Sequence, residues 1–154
     1  MIHARAVLDA RARLVVFPEL SLTGYELDAA LVEPGDAALD PVVAACAATG
    51  STALVGAPVP GPGGRAYIAM LEVSPAGVAV LYRKQWIGGD EAVRFSLGDE
   101  PTVFEVDGWR LGVGICRDTG IGEHVDAMAI WSPAGDVLAQ AGTRPGDLAR
   151  ATLT

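Results

Sequence analysis

The sequence predicts a layered α+β domain in which sheet outweighs helix. Two early segments, residues 2–12 and 40–48, carry apolar residues at helical spacing. Most of the remainder consists of short apolar runs separated by turns that contain glycine or proline, which is typical of strands. With 154 residues, of which 51% are hydrophobic, the chain can form one sizeable core. We therefore expect a single domain over residues 1–154.

An apolar run at residues 14–17 predicts a buried strand. Pro18 follows it directly, and proline lacks an N–H and restricts the residue before it. The strand should therefore end there and place Glu19 at its carboxyl end. Loops at strand ends commonly carry functional groups, so Glu19 is a candidate site residue.

The second helix has clear boundary signals. Asp40 is its predicted N-cap, Pro41 suits the first helical position, and Gly50 follows its end. Residues 53–57 then predict a strand, and the residues 58–64, rich in proline and glycine, predict a loop. This loop should separate the strand from the hairpins that follow.

Three hairpins are expected in the rest of the chain. Their strands and turns are residues 66–73 and 78–84 around 74–77, residues 103–106 and 110–115 around 107–108, and residues 130–131 and 137–139 around 132–135. The second hairpin leads directly into Cys116, after which a short helix is expected.

The charge balance argues against nucleic acid as a partner. The sequence has 11 basic and 19 acidic residues, a net charge of -8, whereas binding to a phosphate backbone requires clustered lysine and arginine. The start of the chain lacks a signal-peptide core, and no apolar run is long enough to cross a bilayer. With only two cysteines as well, we expect a cytoplasmic protein without a membrane role.

Cys116 is a candidate nucleophile at the end of a glycine-bearing strand. Buried cysteines often act only as small hydrophobes, so a structural role is one interpretation. Catalysis is the other, because the thiol lies where the chain leaves the sheet, and Gly112 and Gly114 would let a ligand approach closely. The charged residues Arg117 and Asp118, which follow at once, also favour a site over a core position.

A nucleophilic cysteine needs a base or a positive environment. The chain has two histidines, His3 and His124, and only His124 is near Cys116 in the sequence. Glu19 is the better candidate base, as a carboxylate at the end of a hydrophobic strand. Lys84 also ends a strand, although alone it would be interpreted as an exposed lysine. The histidines and cysteines show no metal-ligand spacing, so we predict neither metal nor cofactor.

The three candidates lie in segments that together resemble one family. Residues 14–25 resemble the glutamate segment of the nitrilase superfamily of carbon-nitrogen hydrolases, residues 82–98 its lysine segment, and residues 112–118 its cysteine segment. The order of the three segments also agrees. Three matches in the right order are more specific than any one of them, so the sequence is identified as a member of this superfamily.

The resemblance implies a catalytic role for each residue. Cys116 would attack the carbonyl carbon of an amide, or a nitrile carbon, while Glu19 takes the thiol proton and passes it to the leaving nitrogen. Lys84 and the backbone N–H of Arg117 would stabilise the oxyanion. Glu91, seven residues after Lys84, matches the second glutamate of the family, which would position the lysine or assist the base.

The resemblance also implies a four-layer α-β-β-α sandwich, here incomplete. Family members have a strand and a full helix before the glutamate segment, whereas thirteen residues precede Leu14. After Cys116 they have further strands and helices, whereas residues 127–132 lead almost directly into the last hairpin. We therefore expect exposed sheet edges, and a homodimer that covers part of them.

The sequence Cys116-Arg117-Asp118 resembles the amidase and carbamoylase branches more than the true nitrilases. The expected reaction is therefore hydrolysis of a small amide or N-carbamoyl compound to an acid plus ammonia or an amine. One alternative is a shortened, inactive relative that acts as a binding or structural protein, or an incomplete gene product. Another is an interaction domain whose Cys116 is buried far from Glu19 and Lys84.

Overall fold

Residues 2–119, 129–131 and 137–140 are described by a computed structural model, which divides the chain into two units, Met1–Ile121 and Gly122–Thr154. The elements of the first unit are α1 (Ile2–Ala10), β1 (Leu14–Val16), α2 (Asp40–Thr49), β2 (Thr52–Pro60), β3 (Ala66–Ser74), β4 (Gly77–Arg83), β5 (Thr102–Val106) and β6 (Trp109–Val113). The second unit contains β7 (Ala129–Trp131) and β8 (Val137–Gln140). Among these residues no helix is long and apolar enough to cross a bilayer.

The main sheet of the first unit has the strand order β1-β2-β3-β4. β1 pairs with β2 in parallel, with Leu14 opposite Thr52, whereas β2, β3 and β4 form an antiparallel meander. Parallel strands need a crossover connection, and α2 lies in the segment that joins β1 to β2. The carboxyl ends of β1 and β4 carry Glu19 and Lys84 out of this sheet.

The sheet is covered on both faces. On one face, Val7 of α1 and Val42 of α2 belong to the same buried cluster as Val55 of β2. On the other face, Leu54 of β2 clusters with Phe104 of β5. Burial on both faces explains why β2 is an almost continuous apolar run. Helices, main sheet and the β5–β6 sheet are three successive layers of the predicted sandwich; a second helical layer is not among the described residues.

The predicted loop at residues 58–64 is wrong at its beginning, because β2 continues to Pro60. The amide nitrogen of Val32 donates a hydrogen bond to the Pro58 carbonyl oxygen at 2.8 Å. β1 pairs with β2 only as far as Leu54, so this part of the strand accepts a proline without losing a ladder hydrogen bond to β1. The 3-10 turn Pro62–Gly64 then leads to β3.

Two helix boundaries also differ from the prediction. The first helix ends at Ala10 rather than at residue 12, because Arg11 adopts a left-handed backbone with φ 49°. Asp40 is not the N-cap of α2: its φ of -51° is helical, because a 3-10 turn leads straight into the helix. Asp36 caps that turn instead, and its Oδ1 accepts a hydrogen bond from Ala38 N at 2.8 Å.

All three predicted hairpins are confirmed as antiparallel strand pairs. The turn between β5 and β6 has positive φ at both Asp107 (51°) and Gly108 (82°), as a two-residue hairpin requires. The turn residues 132–135 of the third hairpin, and His124, lie outside the described residues. Where a short helix is expected after Cys116, the described residues form the 3-10 turn Cys116–Thr119, and the residues 120–128 lie outside the described part of the chain.

Gly56 of β2 lets the segment that carries Glu19 pass directly over the strand. A Cβ atom at this glycine would lie 2.3 Å from the carbonyl oxygen of Pro18 and 2.6 Å from the amide nitrogen of Leu20. These neighbours are backbone atoms and cannot rotate away. The position of Glu19 therefore depends on the absence of a side chain at residue 56.

We predict that Gly56→Ala lowers the free energy of unfolding by about 1–3 kcal/mol, because the added methyl group must displace backbone. The matched control is Gly112→Ala on β6, where a Cβ would meet nothing within 4 Å. That variant should stay within about 0.5 kcal/mol of the wild type. Urea denaturation followed by circular dichroism measures both, and equal stabilities of the two variants would contradict the close approach.

Candidate active site

Four side chains named from the sequence, Glu19, Lys84, Glu91 and Cys116, come together in the first unit. Glu19 follows β1, Lys84 follows β4, Glu91 begins the 3-10 turn Glu91–Val93, and Cys116 follows β6. Each lies just beyond a strand or at the start of a turn, so a rigid sheet holds side chains on short connections.

Lys84 is the centre of this cluster, and its side chain is 2% exposed. Its Nζ lies 2.5 Å from Oε1 of Glu19. Glu91 contacts the same nitrogen with both carboxylate oxygens, at 2.9 and 3.0 Å. An unpaired buried ammonium would be strongly destabilising, so the two carboxylates are what allows a lysine in this position.

The backbone of Lys84 is fixed by both neighbouring segments. Its N–H donates to the carbonyl oxygen of Ile68 at 2.8 Å, and its own carbonyl oxygen accepts from Gly98 N at 2.8 Å. Burial lowers the pKa of Lys84, but the hydrogen bonds to Glu19 and Glu91 outweigh that effect and hold the pKa above its ordinary value. The lysine therefore remains a cation at neutral pH.

Glu91 is held from its own turn as well as by the lysine. The backbone N–H of Gly88 donates to Oε2 of Glu91 at 2.6 Å, and the amide nitrogen of Phe95 donates to the carbonyl oxygen of Glu91 at 2.8 Å. With both oxygens on Lys84, this carboxylate has little freedom to reorient. The structure places Glu91 beside Lys84, as the sequence predicted.

Glu19 has a second partner that the sequence did not reveal. Tyr25 donates its hydroxyl hydrogen to Oε2 of Glu19 at 2.9 Å. Burial, together with this bond to Glu19, raises the pKa of Tyr25, so the phenol keeps its proton. Tyr25 belongs to the segment at residues 14–25 that resembles the family, but only the structure shows that its hydroxyl contacts the carboxylate of Glu19.

Cys116 is exposed and begins a 3-10 turn in a left-handed conformation, with φ 48°. Its sulfur lies close enough to Glu19, Lys84 and the backbone N–H of Arg117 for all three to affect the pKa of the thiol. Burial of the sulfur raises the pKa of Cys116 and so does the charge of Glu19, against the opposing effect of Lys84. The thiol is therefore protonated at neutral pH, and it needs the adjacent base in order to react.

Asp118 is the second residue of the site whose role the sequence did not reveal. The sequence showed only that a charged residue follows Cys116 closely. Its carboxylate joins the turn after Cys116 to the segment around Lys84, through Tyr82, Gln85 and Trp86. Its position two residues after Cys116 could have suggested a role in the site. Its hydrogen-bond partners, however, are distant in sequence and could not be predicted from it.

The other candidates do not enter this cluster. His3 is buried on α1, with its ring 4.6 Å from that of Phe17. Cys46 is buried on α2, and its thiol donates to the carbonyl oxygen of Val73 at 3.4 Å. Among the described residues no group of three or more His, Cys, Asp or Glu side chains could hold a metal ion. The interpretation of Cys116 as a buried structural residue far from Glu19 is wrong.

Residues 1–129 match the carbon-nitrogen hydrolase family, a span that includes the whole cluster. The chain belongs to the carbon-nitrogen hydrolase family. A Pseudomonas protegens protein named "Hydrolase in pqqF 5'region" is 34% identical over 137 residues, which cover 84% of this chain and 48% of that protein. This carbon-nitrogen hydrolase chain therefore spans about half the length of the curated relative.

Solved structures of the superfamily have the same fold. An amidase from Nesterenkonia sp. AN1 is similar with a TM-score of 0.74 and 20% identity, covering 99% of this chain and 84% of that one. A CN-hydrolase superfamily protein from Xanthomonas campestris is similar with a TM-score of 0.63 and 22% identity, covering 74% of this chain and 45% of that one. The α+β architecture is therefore that of the nitrilase superfamily.

We predict that Lys84→Met lowers the free energy of unfolding at pH 7 by about 3–5 kcal/mol, because it leaves two buried carboxylates without their cation. The pKa of Lys84 is raised in the folded state, so the stabilisation by this lysine is fully present below about pH 10.5, its ordinary pKa, and is lost as the pH rises through the folded-state pKa. The difference in unfolding free energy between Lys84→Met and wild type should therefore become smaller above about pH 10.5.

Arg5→Met is the matched control, because it removes a cation from an exposed ion pair with Asp9. It should change the unfolding free energy by at most about 0.5 kcal/mol. Urea titrations at several pH values measure all three proteins. A loss in Lys84→Met no larger than in Arg5→Met would show that the buried cation does not stabilise the fold.

Proposed function

We propose that this chain hydrolyses the carbon–nitrogen bond of a small amide or N-carbamoyl compound through a thioester on Cys116. The observation that carries the proposal is that the thiol of Cys116 lies near Glu19, whose charge raises the pKa of the thiol, while Glu19 also contacts the buried cation Lys84. A nucleophile, a base and a fixed positive charge are the groups that acyl transfer requires.

In the first half of the reaction, Glu19 takes the thiol proton as the sulfur of Cys116 attacks the carbonyl carbon. The carbonyl oxygen becomes an oxyanion, for which the Nζ of Lys84 and the backbone N–H of Arg117 are the donors. Glu19 then gives the proton to the nitrogen, the C–N bond breaks, and ammonia or an amine leaves. Cys116 keeps the acyl group as a thioester.

In the second half, water attacks the thioester carbon while Glu19 takes one of its protons. The C–S bond breaks, the acid leaves, and the proton on Glu19 returns to the sulfur of Cys116. The thiol and the carboxylate are then as they were before the reaction, so no external oxidant, reductant or cofactor enters the cycle.

The division of labour between the two glutamates follows from their contacts. Both oxygens of Glu91 and one oxygen of Glu19 lie within hydrogen-bond distance of the Nζ of Lys84, so an oxyanion would share this ammonium with the two carboxylates. Glu91 holds the cation in place, whereas Glu19 also lies near the thiol of Cys116, whose pKa its charge raises. Glu19 is therefore the carboxylate suited to carry a proton, and Glu91 the one suited to hold charge.

Incubation of the purified chain with short aliphatic amides and N-carbamoyl amino acids tests the proposal. We predict ammonia release, and an acyl adduct of Cys116 in intact-mass spectra after rapid acid quenching. Cys116→Ala should lose the adduct and at least about 1,000-fold in kcat, because the nucleophile is gone.

Cys46→Ala is the matched control, since it removes the other cysteine of the chain and leaves the cluster untouched. It should keep both the adduct and ammonia release. If the folded wild type gives neither product nor adduct with either substrate class, the proposed hydrolysis is contradicted, and the shortened, inactive relative or the incomplete gene product is supported instead.

A further inference from the structure

We propose that Asp118 is a positioning residue that holds the turn carrying Cys116 against the strand end carrying Lys84. Its meaning for catalysis rests on the proposed function, whereas its effect on the position of the thiol does not. The proposal stands on the hydrogen bonds of one carboxylate, which join two segments that are about thirty residues apart in the sequence.

On the Lys84 side, Asp118 binds the residues that flank the lysine. Oδ1 accepts from Trp86 N at 2.8 Å and from Gln85 N at 3.2 Å. Oδ2 accepts from the hydroxyl of Tyr82 at 2.8 Å. The carboxylate therefore holds the chain both before and after Lys84, at the point where β4 ends.

On the Cys116 side, the same residue closes the turn around the nucleophile. The amide nitrogen of Ile115 donates to Oδ2 of Asp118 at 3.1 Å, and Asp118 N donates to the carbonyl oxygen of Ile115 at 3.0 Å. Cys116 lies between Ile115 and Asp118 and has a φ of 48°, a conformation that residues with a Cβ rarely adopt. The two hydrogen bonds between Ile115 and Asp118 thus stabilise this unfavourable backbone conformation of the cysteine.

The chemistry of the partners requires a carboxylate at residue 118. Three backbone N–H groups and one hydroxyl donate to its two oxygens, and an ionised carboxylate is the side chain that only accepts. Burial and the bond to Asp118 raise the pKa of Tyr82, so this phenol remains a donor. An amide of the same shape would turn an NH2 group towards one of these donors.

The consequence concerns the contact between thiol and base. Glu19 follows β1 and Lys84 follows β4, so both are placed by the main sheet, whereas Cys116 lies on the turn after β6. Asp118 ties that turn to the end of β4. Without the tie, the thiol can move away from Glu19, Lys84 and Tyr25, the ionisable groups whose charges interact with it.

The test compares the Cys46→Ala protein, in which Cys116 is the only cysteine of the sequence, with the same protein that also carries Asp118→Asn. The rate of alkylation by iodoacetamide is measured from pH 6 to 11, together with the thermal midpoint and the kcat and KM for amide hydrolysis. Asp9→Asn, an exposed acid in an ion pair with Arg5, is the matched control.

We expect Asp118→Asn to lower the pH at which the alkylation rate has its inflection, towards the ordinary pKa of a thiol, because the sulfur moves away from Glu19. We expect kcat to fall about 10- to 100-fold with little change in KM, as for a misplaced reacting group. Asp9→Asn should match the wild type in all measurements.

An unchanged alkylation profile with only a lower thermal midpoint would overturn the proposal, because Asp118 would then be a structural residue. If Asp118→Asn does not fold, Tyr82→Phe decides, since it removes one of the bonds to the carboxylate: a smaller shift in the same direction supports the proposal, and none overturns it. If the wild type hydrolyses no amide, the proposed function fails while the alkylation profiles still test the tie.

Discussion

The site is organised by one buried ammonium between two carboxylates. Lys84 is enclosed almost completely, and it contacts one oxygen of Glu19 and both oxygens of Glu91. A charge in this position needs partners with good geometry, because desolvation of an ion is unfavourable and is offset only by close opposite charges and hydrogen bonds. The end of β1, the end of β4 and the turn at Glu91 are thereby fixed relative to one another.

Two carboxylates and one ammonium leave a net negative charge, and neutral donors around the cluster compensate for it. The hydroxyl of Tyr25 donates to Glu19, and the backbone N–H of Gly88 donates to Glu91. The excess charge has a further effect on Cys116, whose pKa is raised by burial and by Glu19. A protonated thiol beside a carboxylate fits proton transfer to the base during attack, rather than a preformed thiolate.

The sequence predicted those residues of the cluster that stand at recognisable local positions, such as the end of an apolar strand or a segment typical of one family. Glu19 and Cys116 follow apolar strands, and Lys84 and Glu91 lie in a segment that resembles a known family. Gly56 and Asp118 could not be assigned their parts in this way, because each acts on a segment distant in sequence: the former through a missing Cβ, the latter through backbone donors. Such contacts are properties of the packed sheet, not of a local motif.

The errors at Asp40 and at Pro58 have the same origin. Both residue types usually mark boundaries, but a 3-10 turn had already set helical backbone at Asp40, and Val32 supplied a partner for the carbonyl of Pro58 where β1 no longer pairs with the strand. In each case the local preference of the residue was overridden by a neighbouring segment, which set the backbone conformation or supplied a hydrogen-bond partner.

The central claim, that Lys84 is a buried cation held by two carboxylates, is tested most directly by nuclear magnetic resonance of its Nζ. Lys84 is the sole lysine in the sequence, so labelling with 15N-lysine gives one side-chain signal without further assignment. The predicted result is an ammonium signal that persists above pH 10.5, the ordinary lysine value, because Glu19 and Glu91 raise the pKa. An Nζ that loses its proton at or below that value would contradict the account.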